Sequence, residues 1–303
     1  MPEVVDCGWL NDHLSNPKVK VLDVTHTVKP KRDFKTFDYG NFKQHMIENV
    51  EVDYVMSHIP DAVHFNLDAA FYPSEFIKSD IYPPALFEKY VQMLGINRDD
   101  EVIVYSRGPA GGMLFAARAW WTFKLYGHSN VKVLIGGFDQ WKKQGFPVNG
   151  DHPTPPFGDW TAKPLDRGLL ATFEELTTEN SGGISENCSK VNYLDARPTD
   201  QYRGLTPLGV PADGATGSHI TGSKNLPLAK IVNIDSLRTE KEIKAALDQT
   251  SYDSSFEIVT ACNGGIQACL LSLGLAESGY RSKVYNGSMV EIGSRAPGLI
   301  NSS

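Results

Sequence analysis

The chain has 303 residues, of which 41% are hydrophobic and 21% are charged, and its formal net charge at pH 7 is −7. This length predicts about two domains, and the ordinary composition is typical of a globular protein that buries a core in each of them. The modest negative charge and the scattered basic residues argue against a nucleic-acid-binding protein. An anionic ligand must therefore be held by a local site.

The sequence gives no sign of membrane association or of an export signal. No apolar stretch reaches the ~20 residues that a membrane-spanning helix needs. Residues 1–6 carry two acidic and no basic residues, which is unlike a secretory signal or an Arg-rich mitochondrial presequence. We therefore expect a cytoplasmic protein, with a mitochondrial location as the alternative.

Cysteine usage indicates a reducing compartment. The four cysteines, at positions 7, 188, 262 and 269, include no CxxC pair, so they indicate neither a disulfide framework nor a zinc ribbon. Reduced thiols are the simpler interpretation, and we expect no metal and no other cofactor.

Several short segments occur twice along the chain in the same order. The offset between the copies falls from roughly 170 to about 150 residues, as loop insertions would cause. Such ordered matches predict a duplicated domain. The matching pairs are 21–24 with 193–196, 57–66 with 218–227, 102–106 with 258–262, and 131–137 with 282–288.

A stretch rich in proline and glycine separates the two copies. Residues 150–158 contain three prolines together with Gly150 and Gly158, a composition typical of a linker. We predict a first domain over residues 1–149, a linker over 150–167 and a second domain over 168–303.

Within each copy, short buried-strand patterns alternate with longer helical patterns. Residues 102–105 and 131–135 are apolar runs typical of strands, whereas 114–126 and 268–277 have helical periodicity. This alternation predicts an α/β fold in which a mostly parallel sheet is flanked by helices. Ligands bind such sheets where strand ends lead into helices, which points to the residues after 102–105 and after 258–261.

The loop after the second of these strands contains the strongest candidate nucleophile, Cys262. Gly264 and Gly265 allow the backbone to curl so that successive N–H groups point inward, and the start of the next helix adds a partial positive charge. We expect this cradle to lower the thiol pKa below its usual ~8.5 and to hold a persulfide anion. The structural alternative is a buried cysteine that only ends a strand.

Taken together and in order, these segments resemble the rhodanese family, which includes thiosulfate sulfurtransferases and 3-mercaptopyruvate sulfurtransferases. The resemblance covers nearly the whole chain, and in the first copy it includes residues 136–141. In the second copy it is carried by residues 195–197, 201–204, 217–227, 262–268, 285–288 and 295–297.

The resemblance implies an enzyme of two tandem rhodanese-like domains that transfers sulfur through a Cys262 persulfide. The donor would be a small anion, thiosulfate or 3-mercaptopyruvate. The acceptor would be a thiol, either a thioredoxin-like protein or a low-molecular-weight thiol, or else cyanide. The loop that would cradle the persulfide comprises Asn263, Gly264, Gly265, Ile266 and Gln267.

The family also has an inactive first copy, and this chain fits that pattern. Ser106 lies at the position that matches Cys262, with no base nearby in sequence to activate it. Arg107, the next residue, either reaches toward the active site or is a solvated surface arginine. His58 and His219 occupy matching positions before a turn, where packing or a turn hydrogen bond is favoured over catalysis or metal binding. Cys269 is expected to lie in the core.

The resemblance leaves the donor open. Small neutral residues after the cysteine, here Asn263 and Gly264, are similar to mercaptopyruvate-using members. Gln201 stands where the family carries an arginine that holds the anionic donor, and an amide cannot replace that bidentate cation. Arg203 or Arg197 would then compensate, unless they form structural ion pairs. Two further departures, Met289 and Ile292 in place of tryptophans, predict an altered pocket wall.

Two other functions remain as alternatives. Phosphatases and arsenate reductases of similar fold close a longer loop with an arginine, but the sixth residue after Cys262 is Ala268. A catalytically weak or non-enzymatic rhodanese-like protein that binds or senses a ligand is the second alternative, which Gln201 and the missing tryptophans favour.

Overall fold

The computed structural model describes residues 2–301, which divide into two compact units. Unit 1 consists of residues up to Pro73, Ile81–Asp166 and the short segment Asn233–Ser236. Unit 2 consists of Ser74–Asp80, Arg167–Val232 and the residues from Leu237 onward. Each unit therefore contains one short segment from the sequence of the other half.

Unit 1 is built on a five-stranded parallel sheet in the order β1-β7-β6-β2-β3, and a separate two-stranded sheet pairs β4 with β5. The central strand β6 is almost fully buried, as its run of apolar residues predicts. The strands are β1 Val4–Val5, β2 Val19–Asp23, β3 Val63–His64, β4 Phe71–Tyr72, β5 Asp80–Ile81, β6 Glu101–Tyr105 and β7 Val131–Leu134. The helices are α1 Cys7–His13, α2 Phe42–Glu48, α3 Val52–Met56, α4 Leu67–Ala70, α5 Pro84–Met93, α6 Met113–Leu125 and α7 Gly137–Lys143.

Unit 2 contains a second five-stranded parallel sheet, in the order β10-β9-β11-β12-β8. Helix α10 begins with a capping box between Thr239 and Glu242, whereas α11 begins at a left-handed glycine, Gly265. The strands are β8 Leu170–Ala171, β9 Asn192–Asp195, β10 Lys224–Asn225, β11 Ile258–Ala261 and β12 Lys283–Tyr285. The helices are α8 Phe173–Thr177, α9 Thr199–Tyr202, α10 Glu240–Asp248, α11 Ile266–Glu277 and α12 Ser288–Arg295, with short 3-10 turns at Ile184–Glu186, Leu228–Lys230 and Pro297–Leu299.

The two sheets have the same topology, which confirms the predicted α/β fold of two parallel-sheet domains. Read from the opposite edge, the order β3-β2-β6-β7-β1 of unit 1 corresponds to β10-β9-β11-β12-β8 of unit 2. In unit 1, Asp23 pairs with Tyr105, and in unit 2, Asp195 pairs with Ala261. Each sheet therefore places an aspartate beside the strand end that leads into the candidate loop.

Residues of the predicted linker pack against unit 1. Trp160 is 1% exposed, and its indole N–H donates to Nδ1 of His128 at 3.1 Å. The Gly158 amide donates to the carbonyl of Gln92 at 2.9 Å. The compact unit thus extends through Asp166, while the domain limits given above stay a prediction.

Between residues 2 and 301, no helix has both the length and the apolar character needed to cross a bilayer. The same residues contain no group of three or more histidine, cysteine or acidic side chains arranged to hold a metal ion.

Candidate active site

Cys262 lies directly between β11 and α11, at the carboxyl edge of the unit 2 sheet. Its backbone is fixed from two directions by the start of α12. The Ser288 hydroxyl accepts from the Cys262 amide at 3.1 Å, and the Met289 amide donates to the Cys262 carbonyl at 3.1 Å. The sheet, α11 and α12 therefore all hold this one residue in place.

The predicted cradle is present around the thiol. Gly265 has φ +85°, a conformation that favours glycine, and its amide donates to Cys262 Sγ at 3.1 Å. Ile266 and Gln267 form the first turn of α11. A sulfur atom in this position faces backbone donors at a helix N-terminus, which is an arrangement that stabilises negative charge.

The expected fall in thiol pKa is wrong for this structure. Cys262 is 2% exposed, and burial raises the pKa of its thiol above the ordinary value. Backbone groups at Ala268, Gly264 and Gly265 lower that pKa, while the charge of Asp195 raises it, and the net direction is upward. The sequence showed the donors of the cradle but not how completely the surrounding chain buries the sulfur.

Arg197 is paired with Asp195 at the base of the site. Its guanidinium contacts both carboxylate oxygens, with Nε 3.0 and 2.9 Å from Oδ1 and Oδ2 and Nη2 2.6 Å from Oδ2. Nη2 also donates to the Ser218 carbonyl at 2.9 Å. The side chain is 0% exposed. Arg197 therefore occupies the structural ion pair that the sequence left as an alternative to donor binding.

Unit 1 contains the same ion pair, but its arginine comes from a different place in the sequence. Nη2 of Arg107 lies 3.1 Å from Asp23 Oδ2 and also donates to the Ser57 carbonyl. Its guanidinium lies 4.0 Å from the ring centroid of Phe138. Arg107 is thus held by an ion pair within unit 1, with only 13% of its side chain exposed, and is not the solvated surface arginine that was one of the two expectations. In the internal match, Thr25 stands at the position of Arg197, so the sequence already showed that the partner of Asp23 must come from another position.

The Ser106 loop of unit 1 does not form a comparable cradle. The amide of Gly112 donates to the Gly108 carbonyl at 3.1 Å, and the Ser106 hydroxyl makes only a long contact of 3.4 Å with the Arg107 carbonyl. The amide of Met113 likewise donates within the loop, to the Ala110 carbonyl at 3.1 Å. This geometry supports, without testing it, the prediction that the first copy is inactive.

Gln201 and Arg203, the other predicted donor-binding residues, lie on and just after α9. The Gln201 amide donates to the carbonyls of Pro207 at 3.3 Å and Leu208 at 2.9 Å. Arg203 is exposed. The structure thus brings Gln201 beside the Cys262 loop but directs its amide to the backbone.

Both singled-out histidines have the structural role that the sequence favoured. Nδ1–H of His58 donates to the Tyr54 carbonyl at 2.8 Å, and the imidazole stacks on the Tyr54 ring. His219 has the same relation to Tyr202, at 2.9 Å, with ring centroids 4.1 Å apart. The repeated His–Tyr stack is a second structural mark of the duplication.

The remaining predicted positions are in the core. Cys269 is buried within α11, as expected. Met289 and Ile292 are each 0% exposed and belong to the apolar cluster beneath α12, which includes Tyr193 and Tyr285. Their side chains face the interior of unit 2, and the altered pocket wall stays a prediction.

Comparison with known proteins gives a consistent result along the whole chain. The family model described as "Rhodanese-like domain" matches twice, at residues 6–144 and 183–294. The Caenorhabditis elegans protein mpst-1 is 39% identical over 295 residues, covering 93% of this chain and 90% of the relative. The thiosulfate sulfurtransferase of Gallus gallus is 31% identical over 300 residues, covering 97% of this chain and 94% of the relative.

A solved structure shares the fold. The crystal structure of SseA from Escherichia coli, described as a 3-mercaptopyruvate sulfotransferase, aligns with a TM-score of 0.74 and 23% identity. The alignment covers 95% of this chain and 99% of that one.

Proposed function

Because the chain belongs to the family of rhodanese-like sulfurtransferases, we propose that it transfers sulfur through a persulfide on Cys262. The observation that carries this proposal is the 3.1 Å hydrogen bond from the Gly265 amide to Cys262 Sγ at the start of α11. A backbone donor this close to the sulfur at a helix N-terminus supports a role in holding a negatively charged sulfur. A cysteine that only ended a strand would not need such a cradle.

The first half of the reaction loads the enzyme. The Cys262 thiolate attacks the outer sulfur of thiosulfate, a new S–S bond forms, the S–S bond of thiosulfate breaks, and sulfite leaves with the electron pair. With 3-mercaptopyruvate, the same attack breaks the C–S bond. The thiol proton of that donor is returned to carbon, and pyruvate leaves.

The second half of the reaction returns the enzyme to its starting state. An acceptor thiolate or cyanide attacks the outer sulfur, the persulfide bond breaks, and Cys262 leaves as the thiolate. The products are an acceptor persulfide or thiocyanate. We propose a low-molecular-weight thiol or a thioredoxin-like protein as the thiol acceptor.

The donor is expected to be 3-mercaptopyruvate rather than thiosulfate. Thiosulfate carries two negative charges and needs a cation close to the sulfur, whereas the residues after Cys262, Asn263 and Gly264, are neutral. Arg197 is already paired with Asp195. We expect kcat/KM for 3-mercaptopyruvate to exceed that for thiosulfate by about tenfold or more, on the order of 1.4 kcal/mol in transition-state stabilisation.

The test is a steady-state assay of both donors with the same acceptor. A preference for thiosulfate would overturn the proposed donor but leave sulfur transfer intact. Failure of both donors to load Cys262 would instead favour the alternative of a non-enzymatic binding protein.

The two glycines of the cradle are expected to differ sharply. Gly265→Ala forces an alanine into φ +85°, which costs about 1–2 kcal/mol and displaces the amide that faces the sulfur. A Cβ on Gly264 would have no atom within 4 Å, so Gly264→Ala is the matched control. We expect Gly265→Ala to lower kcat by about tenfold and Gly264→Ala to remain within about twofold. Equal effects of the two substitutions would show that the Gly265 amide has no special role.

A further inference from the structure

Residues 204–215, which we call the cover loop, connect α9 to the turn before Ile220. The loop begins at Gly204, which has φ +73°, and Leu205 near its start is 72% exposed. Leu208, Val210, Ala212 and Ala215 are partly buried against the apolar cluster of unit 2. The cover loop is therefore anchored to the unit by these four side chains, while its other eight residues are exposed.

The cover loop lies against α12, the helix that also holds the Cys262 loop. A Cβ added to Gly293 would come within 2.4 Å of the Pro211 carbonyl oxygen and 3.1 Å of Cβ of Ala212. On the other side, the amide of Val290 donates to the Asn263 carbonyl at 2.9 Å. The helix therefore contacts both loops.

The middle of the cover loop also lies beside Asn263 itself. A Cβ added to Gly209 would come within 2.6 Å of Gln201 Nε2 and within 3.3 Å of Asn263 Nδ2. Gly209 has φ +80°, so both its backbone conformation and its surroundings require glycine. The Gln201 amide, the cover loop and the residue next to the nucleophile thus meet at one point.

The Gln201 side chain ties this part of the cover loop to α9. Gln201 Nε2 donates to two successive carbonyls, those of Pro207 and Leu208. A side-chain amide supplies two N–H donors, and both are used here on the backbone. Burial of Cys262 to 2% exposure accompanies this closed arrangement.

We propose that Gln201 is a positioning residue that latches the cover loop over the Cys262 loop, and thereby controls access to the sulfur. This inference rests on the proposed role of Cys262 as the nucleophile. By resemblance to the family, position 201 would carry a cation that binds the anionic donor. In this chain the glutamine at that position holds the cover loop closed instead. Donors then enter when the two hydrogen bonds of the latch break.

The experiment measures access to Cys262 without using a sulfur donor. Gln201→Glu has nearly the same shape, but its carboxylate faces two carbonyl oxygens and donates to neither. Gln201→Met removes the donors without adding charge. Gln249→Glu, at an exposed position at the end of α10, is the matched control for the added charge. The probe is iodoacetamide, a small neutral reagent, with the alkylated cysteine identified by peptide mass spectrometry.

We expect both Gln201 variants to increase the alkylation rate of Cys262 by about tenfold, as loss of one to two hydrogen bonds would produce. Hydrogen exchange should accelerate in residues 204–215 and not elsewhere, and Gln249→Glu should match the wild type. Cys188 and Cys269, which are buried in the same unit, should stay unreactive. Alkylation of Cys188 or Cys269 would report unfolding of the variant. In that case the result is decided by Gln201→Met, measured under conditions in which these two cysteines remain protected.

Unchanged alkylation of Cys262 in a folded Gln201→Met protein would overturn the proposal. So would a rise in KM for thiosulfate in Gln201→Glu without any change in alkylation, because that pattern indicates direct donor binding. A latch that operates while Cys262 never carries sulfur would leave this inference standing and refute the proposed function instead.

Discussion

Replacing Cys262 with serine is expected to abolish sulfur transfer from both thiosulfate and 3-mercaptopyruvate, down to the rate without enzyme. A serine hydroxyl is not ionised near neutral pH, and no base in the cradle activates it, so the persulfide cannot form. The expected loss is at least about 10³-fold in kcat/KM. It is measured with each donor at the same acceptor concentration.

Cys269→Ala is the matched control for this substitution. Cys269 lies in the helix that follows the cradle and is 0% exposed, so its removal leaves only a small cavity. We expect its kcat to stay within about twofold of wild type. Residual transfer by Cys262→Ser, or an equal loss in Cys269→Ala, would contradict the role assigned to Cys262.

Arg197→Met is expected to destabilise unit 2 by about 3–5 kcal/mol, because it leaves the Asp195 carboxylate buried without its cation. Arg238→Met is the matched control, since Arg238 pairs with Glu242 at 3.4 Å at the surface, where the two side chains are 33% and 49% exposed, and its Nε donates to the Ala229 carbonyl at 3.2 Å. Loss of such a surface pair costs less than about 1 kcal/mol.

The corresponding substitution in unit 1, Arg107→Met, separates the two units experimentally. All five tryptophans, at positions 9, 120, 121, 141 and 160, belong to unit 1. Tryptophan fluorescence during urea unfolding should therefore report Arg107→Met, while hydrogen exchange of β9 and β11 should report Arg197→Met. Equal stability of Arg197→Met and Arg238→Met would show that the buried pair does not support the site.

The parts of the fold that the sequence predicted are those encoded by neighbouring residues. The apolar run 258–261, the two glycines and the following helical pattern are contiguous, so β11, the cradle and α11 could all be inferred. The ordered internal matches predicted the shared topology of the two sheets for the same reason. Local sequence was thus sufficient to place Cys262 in the loop between β11 and α11.

The parts that it missed depend on residues distant in sequence or on complete burial. Arg107 and Asp23 are 84 positions apart, and no local pattern indicates that their side chains meet. Met289 and Ile292 lie on a helix whose inner face is determined only by packing, and the thiol pKa of Cys262 depends on everything that excludes water from it. These features required the three-dimensional structure.

Intact-protein mass spectrometry after exposure to 3-mercaptopyruvate, followed by peptide mapping under non-reducing conditions, tests the persulfide most directly. We expect the mass to increase by one sulfur atom, located on the peptide that contains Cys262 and removed by cyanide with release of thiocyanate. A protein that gains no sulfur from either donor, or gains it on Cys7, Cys188 or Cys269 instead, would contradict sulfur transfer through Cys262.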